Sequence, residues 1–274
     1  MSKITDQFEH DIVQSIRSSS TIPFNIPQWM EDIGVRPGAR IIEVKRVGGS
    51  GSKTDVIIQL ENSEPIKISA KLSSADYFGN WYSHKRVIGE FGEEAFNRLT
   101  LDCTEWSNWW RDHPSASLYV GVSICFGKRS GNTAKEFTEV FTYEDILTVV
   151  AGFGSGLHVA NCLYVSERSP QNINELFSNL EPINEEVILR LSRNFKIIYR
   201  PINPLTEGTN RGKGIYTQFK PYNRLPQMTT VTTLSQLNQL GEYVKVSPNA
   251  LNHNRLLKEL KSDYNIYIPV KEEL

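Results

Sequence analysis

The sequence predicts one α/β domain, with a core in the first half and an elaborated second half. Three observations carry this. Apolar residues recur at helical spacing in residues 4–17. Short apolar runs of period two, bounded by turn residues, follow between 39 and 72. Helical and strand-like patterns then alternate through residue 202. The 274 residues are ample for a sizeable core. Hydrophobic residues make up 39% and charged residues 22%, as in ordinary globular chains. The formal net charge of −1 excludes a globally basic nucleic-acid binder, so any polyanion site must come from local clustering.

In the first segment Ile4, Phe8, Ile12, Val13 and Ile16 form the helical stripe, with Ser2 or Thr5 as cap. Pro23, Pro27 and Pro37 then punctuate a loop. ARIIEVKRV (39–47) reads as a short strand. TDVIIQL (54–60) is a strand, ENSEP a turn and IKISAKL (66–72) a second strand. In that second strand Ile66, Ile68 and Ala70 point one way, and Lys67, Ser69 and Lys71 the other. Residues 86–112 have helical spacing and include Trp106, Trp109 and Trp110. SLYVGVSICF (117–126) reads as a buried strand, and GKRSGNTAKEF breaks it. YEDILTVVAGF reads as a helix that stops at Gly154 or Gly156. HVANCLYVS (158–166) is a strand. NINELFSNL reads as a helix capped by Asn172 or Asn174 and running on through 183–192. FKIIYRPI (195–202) is a strand, 203–230 has little periodicity, and a last helix falls near 249–261. No repeat, low-complexity tract or linker stands out.

Cys103, Cys125 and Cys162 lie far apart without CxxC spacing, which fits buried thiols in a reducing compartment rather than a disulfide framework or a zinc site. The stretch MSKITDQFEHDIVQSI is charged and lacks the apolar region of a signal peptide. No stretch approaches the ~20 apolar residues of a membrane span. The expected location is the cytoplasm, with no membrane partner.

The stretch richest in chemistry is GGSGSKTDVIIQLENSEPIKISAKLSS (48–74). A phosphate-binding P-loop does not fit, because Ser52 separates Gly51 from Lys53 and a strand, not a helix, follows. Two readings remain. One is a plain hairpin with Asp55 and Lys71 exposed. The other is a metal-dependent phosphodiester-cleaving site. Such chemistry needs a divalent cation on oxygen ligands, a placed water and a nearby positive charge. Asp55 at one strand mouth, the Ala70 carbonyl and Lys71 on the neighbouring strand supply those groups. Spacing alone leaves both readings open.

These residues resemble the core of the PD-(D/E)xK restriction endonucleases. The MspI-type members are especially similar, with a Gly-Gly-Ser-x-Lys-Thr-Asp strand, an x-x-Lys strand and a Ser-Ser pair, over residues 45–75. Two positions depart from the general pattern. Thr54 replaces a proline, and Ser69 stands where a second acid is usual. The resemblance implies a mixed central sheet flanked by helices, with the catalytic core mainly in 1–130 and recognition elements mainly in 185–245. It implies a type II, site-specific deoxyribonuclease using Mg²⁺. Asp55 and the Ala70 backbone carbonyl are then expected to bind the metal, with Lys71 positioning or deprotonating the attacking water. Ser69 is expected to bond a metal water or the phosphate, and Glu9 to reach the metal through water, with Glu43 as runner-up. The implied partners are double-stranded DNA, a second copy of the chain (a monomer stays open) and a host DNA methyltransferase.

DNA contacts are expected from a basic stretch holding Arg190, Arg193, Lys196, Arg200, Arg211, Lys213, Lys220 and Arg224, with Glu207 its one acid. Within it Thr209, Asn210, Arg211, Lys213, Gln218, Lys220 and Arg224 are candidates for phosphate and base-edge contacts. Glycines 208, 212 and 214 would permit close backbone approach. Ser73, Ser74, Lys85 and Arg86 are further phosphate candidates, whereas Tyr77, Phe78, Trp81 and Tyr82 are expected mostly in the core. GFGSG (152–156) is read as a helix stop, and the five histidines show no metal spacing. Two other functions stay open: a repair or structure-selective nuclease of the same fold, and an inactive DNA-binding module without the second acid.

Overall fold

Phe8, Ile12, Val13 and Ile16 share one helix face because positions four and three apart return to the same side, and all four are buried. Ile4, on the first turn, is exposed. A computed structural model of the chain describes residues 3–47, 52–74, 82–128, 131–193, 195–207, 214–248 and 251–271. In chain order it begins with α1 (Lys3–Arg17), α2 (Gln28–Asp32), β1 (Ile41–Arg46), β2 (Val56–Leu60), β3 (Ile66–Leu72) and α3 (His84–Trp110). There follow β4 (Gly121–Gly127), β5 (Ala134–Glu136), α4 (Tyr143–Ala151), β6 (Cys162–Ser166), α5 (Ile173–Ser178), β7 (Leu180–Pro182) and α6 (Glu185–Ser192). The chain ends through β8 (Lys196–Pro201), β9 (Thr217–Pro221), β10 (Thr229–Thr230), α7 (Leu234–Asn238), β11 (Gly241–Lys245), α8 (His253–Tyr264) and β12 (Ile266–Tyr267). The architecture is mixed α/β, in two compact units, each discontinuous in sequence. One comprises Met1–Tyr77 and Thr142–Ser192, the other Phe78–Phe141 and Arg193–Leu274. No helix among the described residues is long and apolar enough to cross a membrane.

The first unit is built on a mixed sheet of order β1-β2-β3-β6-β7. Strands β1, β2 and β3 form an antiparallel meander, β6 joins β3 in parallel, and β7 closes the far edge antiparallel. A parallel neighbour requires a crossover, and α4 lies on the connection between β3 and β6. Val56, Ile58, Ile66, Ile68 and Ala70 alternate onto the face that packs with Phe8, Ile12, Val13 and Ile16 of α1. Ile57 and Leu163, of opposite parity, are also fully buried, so the sheet is covered on both faces at these strands. Helix α4 opens with a capping box, in which Thr142 and Asp145 exchange side-chain and backbone hydrogen bonds. It stops at Gly152, whose φ of 100° lies in the left-handed region, two residues before the earlier of the two expected stops.

The second unit carries an antiparallel sheet of order β11-β9-β4-β8-β5 and a short parallel pair, β10 with β12. All seven residues of β4 are buried. Helix α3 packs on β9 and β11 and breaks at Gly92, where φ is 86°. The Asn108 amide serves as a strand partner: it donates to Tyr243 O at 2.9 Å and accepts from Tyr243 N–H at 3.1 Å.

Several expectations change: α2 lies in the stretch read as a loop, and β5 in the stretch read as a turn. The helix through 172–192 is broken, because β7 pairs with β6 between α5 and α6. The stretch 203–230, aperiodic by eye, contains β9, whose Thr217, Phe219 and Pro221 face inward while Gln218 and Lys220 are more exposed.

Candidate active site

The ladder between β2 and β3 runs regularly from Ile58 opposite Ile66 to Val56 opposite Ile68. One residue further it changes character. Asp55 N–H still donates to Ile68 O at 2.8 Å, but Ala70 N–H is taken by the Asp55 carboxylate, Oδ2, at 2.8 Å. The side chain thus fills a backbone acceptor's place, which fixes its rotamer at the sheet end. Lys71 Nζ donates to the same Oδ2 at 2.9 Å and to Ala70 O at 3.1 Å. Asp55 is 8% exposed, and the Lys71 side chain keeps 25% of its surface open. A mostly buried carboxylate is therefore paired and hydrogen-bonded, as burial of charge demands. Behind it, Lys53 N–H and Thr54 N–H both donate to His158 O, at 3.0 and 3.3 Å.

No family model matches the chain, and no curated protein matches it significantly.

Among the sequence-derived candidates, Asp55, Ala70 and Lys71 come together here. Ser69 is fully buried, and its hydroxyl has no hydrogen-bond partner, as is true of the neighbouring Thr54 hydroxyl. The expected contact of Ser69 with a phosphate is therefore corrected: its hydroxyl is enclosed and not presented at the surface. Glu9 is 1% exposed, and one of its carboxylate oxygens is engaged by Arg46. Its Oε2 accepts Arg46 Nη2 at 2.7 Å and Arg46 Nε at 3.1 Å. Arg46 Nη2 also reaches Asp6 Oδ1 at 2.8 Å. Burial pushes the Glu9 carboxyl above its usual range against the lowering hydrogen bond from Arg46, and the Asp55 charge pushes it the same way as burial. Hydrogen bonds donated to Glu9 and then to Asp6 push the Arg46 guanidinium up. Glu43, the runner-up, is exposed and paired with Lys45 at 2.7 Å.

No three of His, Cys, Asp and Glu form a metal cage among the described residues. The donor set at hand is one carboxylate and one backbone carbonyl, beside two unpartnered buried hydroxyls. That set fits a small hard cation that keeps most of its waters, and it does not fit a closed, softer site.

Ser73 and Ser74 are exposed just past β3, and Ser73 N–H donates to Ser166 O at 2.9 Å. Lys85 and Arg86 belong to the second unit and are exposed. Arg86 bonds Glu90 at 2.9 Å and stacks 3.8 Å over the Tyr82 ring, and Tyr82 is buried as expected. Gln218 is half-buried on β9, Lys220 is exposed opposite Glu242, and Arg224 is exposed with Asn265 Oδ1 3.4 Å away. Thr209, Asn210, Arg211 and Lys213, with glycines 208 and 212, lie outside the described residues, as do Tyr77, Phe78 and Trp81. The basic stretch is partly offset by acids that lie before it in sequence: Arg190 pairs with Glu181 and Lys196 with Glu136. Sequence reasoning missed Arg46. The available signal was Glu9, a carboxylate in register with Val13 and Ile16 on the apolar stripe, which calls for a cationic partner.

Proposed function

We propose that this chain is a Mg²⁺-dependent endonuclease that cuts double-stranded DNA at a short specific sequence, a type II restriction endonuclease of the PD-(D/E)xK kind. The observation that carries the reading is the convergence of the Asp55 carboxylate, the Lys71 ammonium and the Ala70 carbonyl at one end of a mixed sheet. An antiparallel meander followed by a helical crossover into a parallel strand also agrees with the restriction-endonuclease-like sheet that the resemblance implies.

Asp55 and the Ala70 carbonyl would hold the ion. When bound, Mg²⁺ supplies neutralising charge at a phosphate oxygen and a more acidic water. Lys71 spends two of its three N–H donors on Asp55 and Ala70, which would leave the third for a water or a phosphate oxygen. In that arrangement it would position the attacking water or help to deprotonate it. A homodimer would match a palindromic site, and a host methyltransferase would protect it.

The test is a digest of unmethylated phage DNA by the purified protein with Mg²⁺, with EDTA and with Lys71→Ala. The expected result is a fixed ladder of bands for wild type in Mg²⁺ alone. A smear would favour a structure-selective or non-specific nuclease. Binding without cutting in Mg²⁺ or Mn²⁺ would favour a DNA-binding module, consistent with the missing acid at Ser69.

A further inference from the structure

We propose that Arg46 is a phosphate-binding residue of this site and that Glu9 is its positioning residue. The inference rests on reading the site as one that receives a DNA phosphate.

Arg46 lies opposite Val56, the residue next to Asp55, and Val47 N–H donates to Asp55 O at 3.1 Å. Arg46 therefore stands across from the residue that follows Asp55, on the Val56 face of the sheet that α1 covers, and it is Glu9 that links it to the Asp55–Lys71 pair. One edge of it is fixed. Nε and Nη2 bind Glu9, and Nη2 also binds Asp6. Two anchors on one edge remove most of the rotational freedom of a long side chain, so its remaining donors are aimed before any ligand arrives. Those donors are on Nη1, which has no hydrogen-bond partner among the described residues, and a third of the side chain is open to solvent. A guanidinium with a free, presented edge is the group best matched to phosphate oxygens.

Charge points the same way. Among the described residues, Asp6 and Glu9 pair with Arg46, and Asp55 pairs with Lys71, so three carboxylates share two cations. Glu9 feels both Asp55 and Lys71 electrostatically, so these groups form one cluster. A site with a carboxylate excess repels a phosphodiester until cations offset it, and Arg46 is the offset that the chain itself provides. A purely structural role explains less. An apolar residue at position 9 would continue the stripe of Phe8, Ile12, Val13 and Ile16, and it would avoid the cost of burying a carboxylate. The buried acid makes sense where it holds the guanidinium for use.

The test has two readouts. The first is metal-free: binding of a labelled DNA duplex in EDTA at several salt concentrations. Arg46→Ala should flatten the slope of log K against log salt by about 0.9, the loss of one phosphate contact. The second is the single-turnover cleavage rate in Mg²⁺. Arg46→Ala should lower it ~10²-fold, and millimolar guanidinium, but not urea, should restore it at least ~10-fold. Glu9→Gln should lower the rate in the same direction, and the double variant should be no slower than Arg46→Ala alone, because the two act as one unit. Melting temperatures keep folding separate from function. A folded Arg46→Ala protein with an unchanged salt slope overturns the inference, whether or not wild type cuts DNA. Wild type that binds with the expected slope change but never cuts overturns the nuclease reading and leaves the Arg46 contact supported. Wild type that does not bind DNA overturns both.

Discussion

Each of the two buried carboxylates at this sheet end is held by one cation, but from different sequence distances. Lys71 is the neighbour of the residue whose N–H caps Asp55, so a local motif made that pair legible. Arg46 meets Glu9 across the packing of α1 on the meander, so no local pattern shows the pair. The predictions at this scale follow from what each cation holds. Lys71→Ala leaves Asp55 Oδ2 with only the Ala70 N–H, and the cleavage rate should fall at least ~10²-fold in a protein with an unchanged circular dichroism spectrum. Glu9 gives a stability prediction. Its folded-state pKa is raised, so the folded chain holds this proton more tightly than the unfolded chain. Its stabilising contribution is full below the ordinary glutamate range and is lost as pH rises through the raised value. Glu9→Gln should therefore gain stability relative to wild type as pH rises through that window, read as denaturation midpoints at several pH values. A gap between the two proteins that is constant with pH would exclude the effect.

Among the elements, α1 and β3 kept close to their sequence signals, because each turns one face to a single core and the period survives. Ile68 is central to that core, and Ile68→Ala should destabilise by about 2–5 kcal/mol in urea titrations. The cap of α4 offers a smaller, separate effect. Thr142→Ala removes the acceptor for Asp145 N–H and should cost about 1 kcal/mol by the same measurement. Among the elements that escaped the sequence reading are β7, β9 and β11. Each is short, and β9 and β11 carry Pro221 and Gly241, residues that usually punctuate. Their pairing is tertiary. Tyr243 on β11 takes its hydrogen bonds from a helix amide, Asn108, far away in sequence, and no window of residues around 243 contains that information.

For the whole molecule, composition indicated an α/β protein but not its division into two interleaved units, since no linker marks the crossings. The cysteines report on both units. Cys162 lies in the first, Cys103 and Cys125 in the second, and all three are buried. Burial pushes the Cys103 and Cys162 thiols well up, which further suppresses thiolate. Native protein should therefore react with a thiol reagent at least ~10³-fold more slowly than the unfolded chain, as opening must precede labelling. Mass spectrometry of partly labelled protein would show which unit opens first. The interleaving also bears on synthesis. Strand β4 is central in its sheet, yet both its neighbours, β8 and β9, are encoded beyond residue 195. A ribosome adding ~5–20 residues per second leaves this fully buried strand without partners for seconds. The first unit is meanwhile complete in sequence at residue 192, so the growing chain can finish its acid-lysine site while the strand most exposed to aggregation still waits for its neighbours.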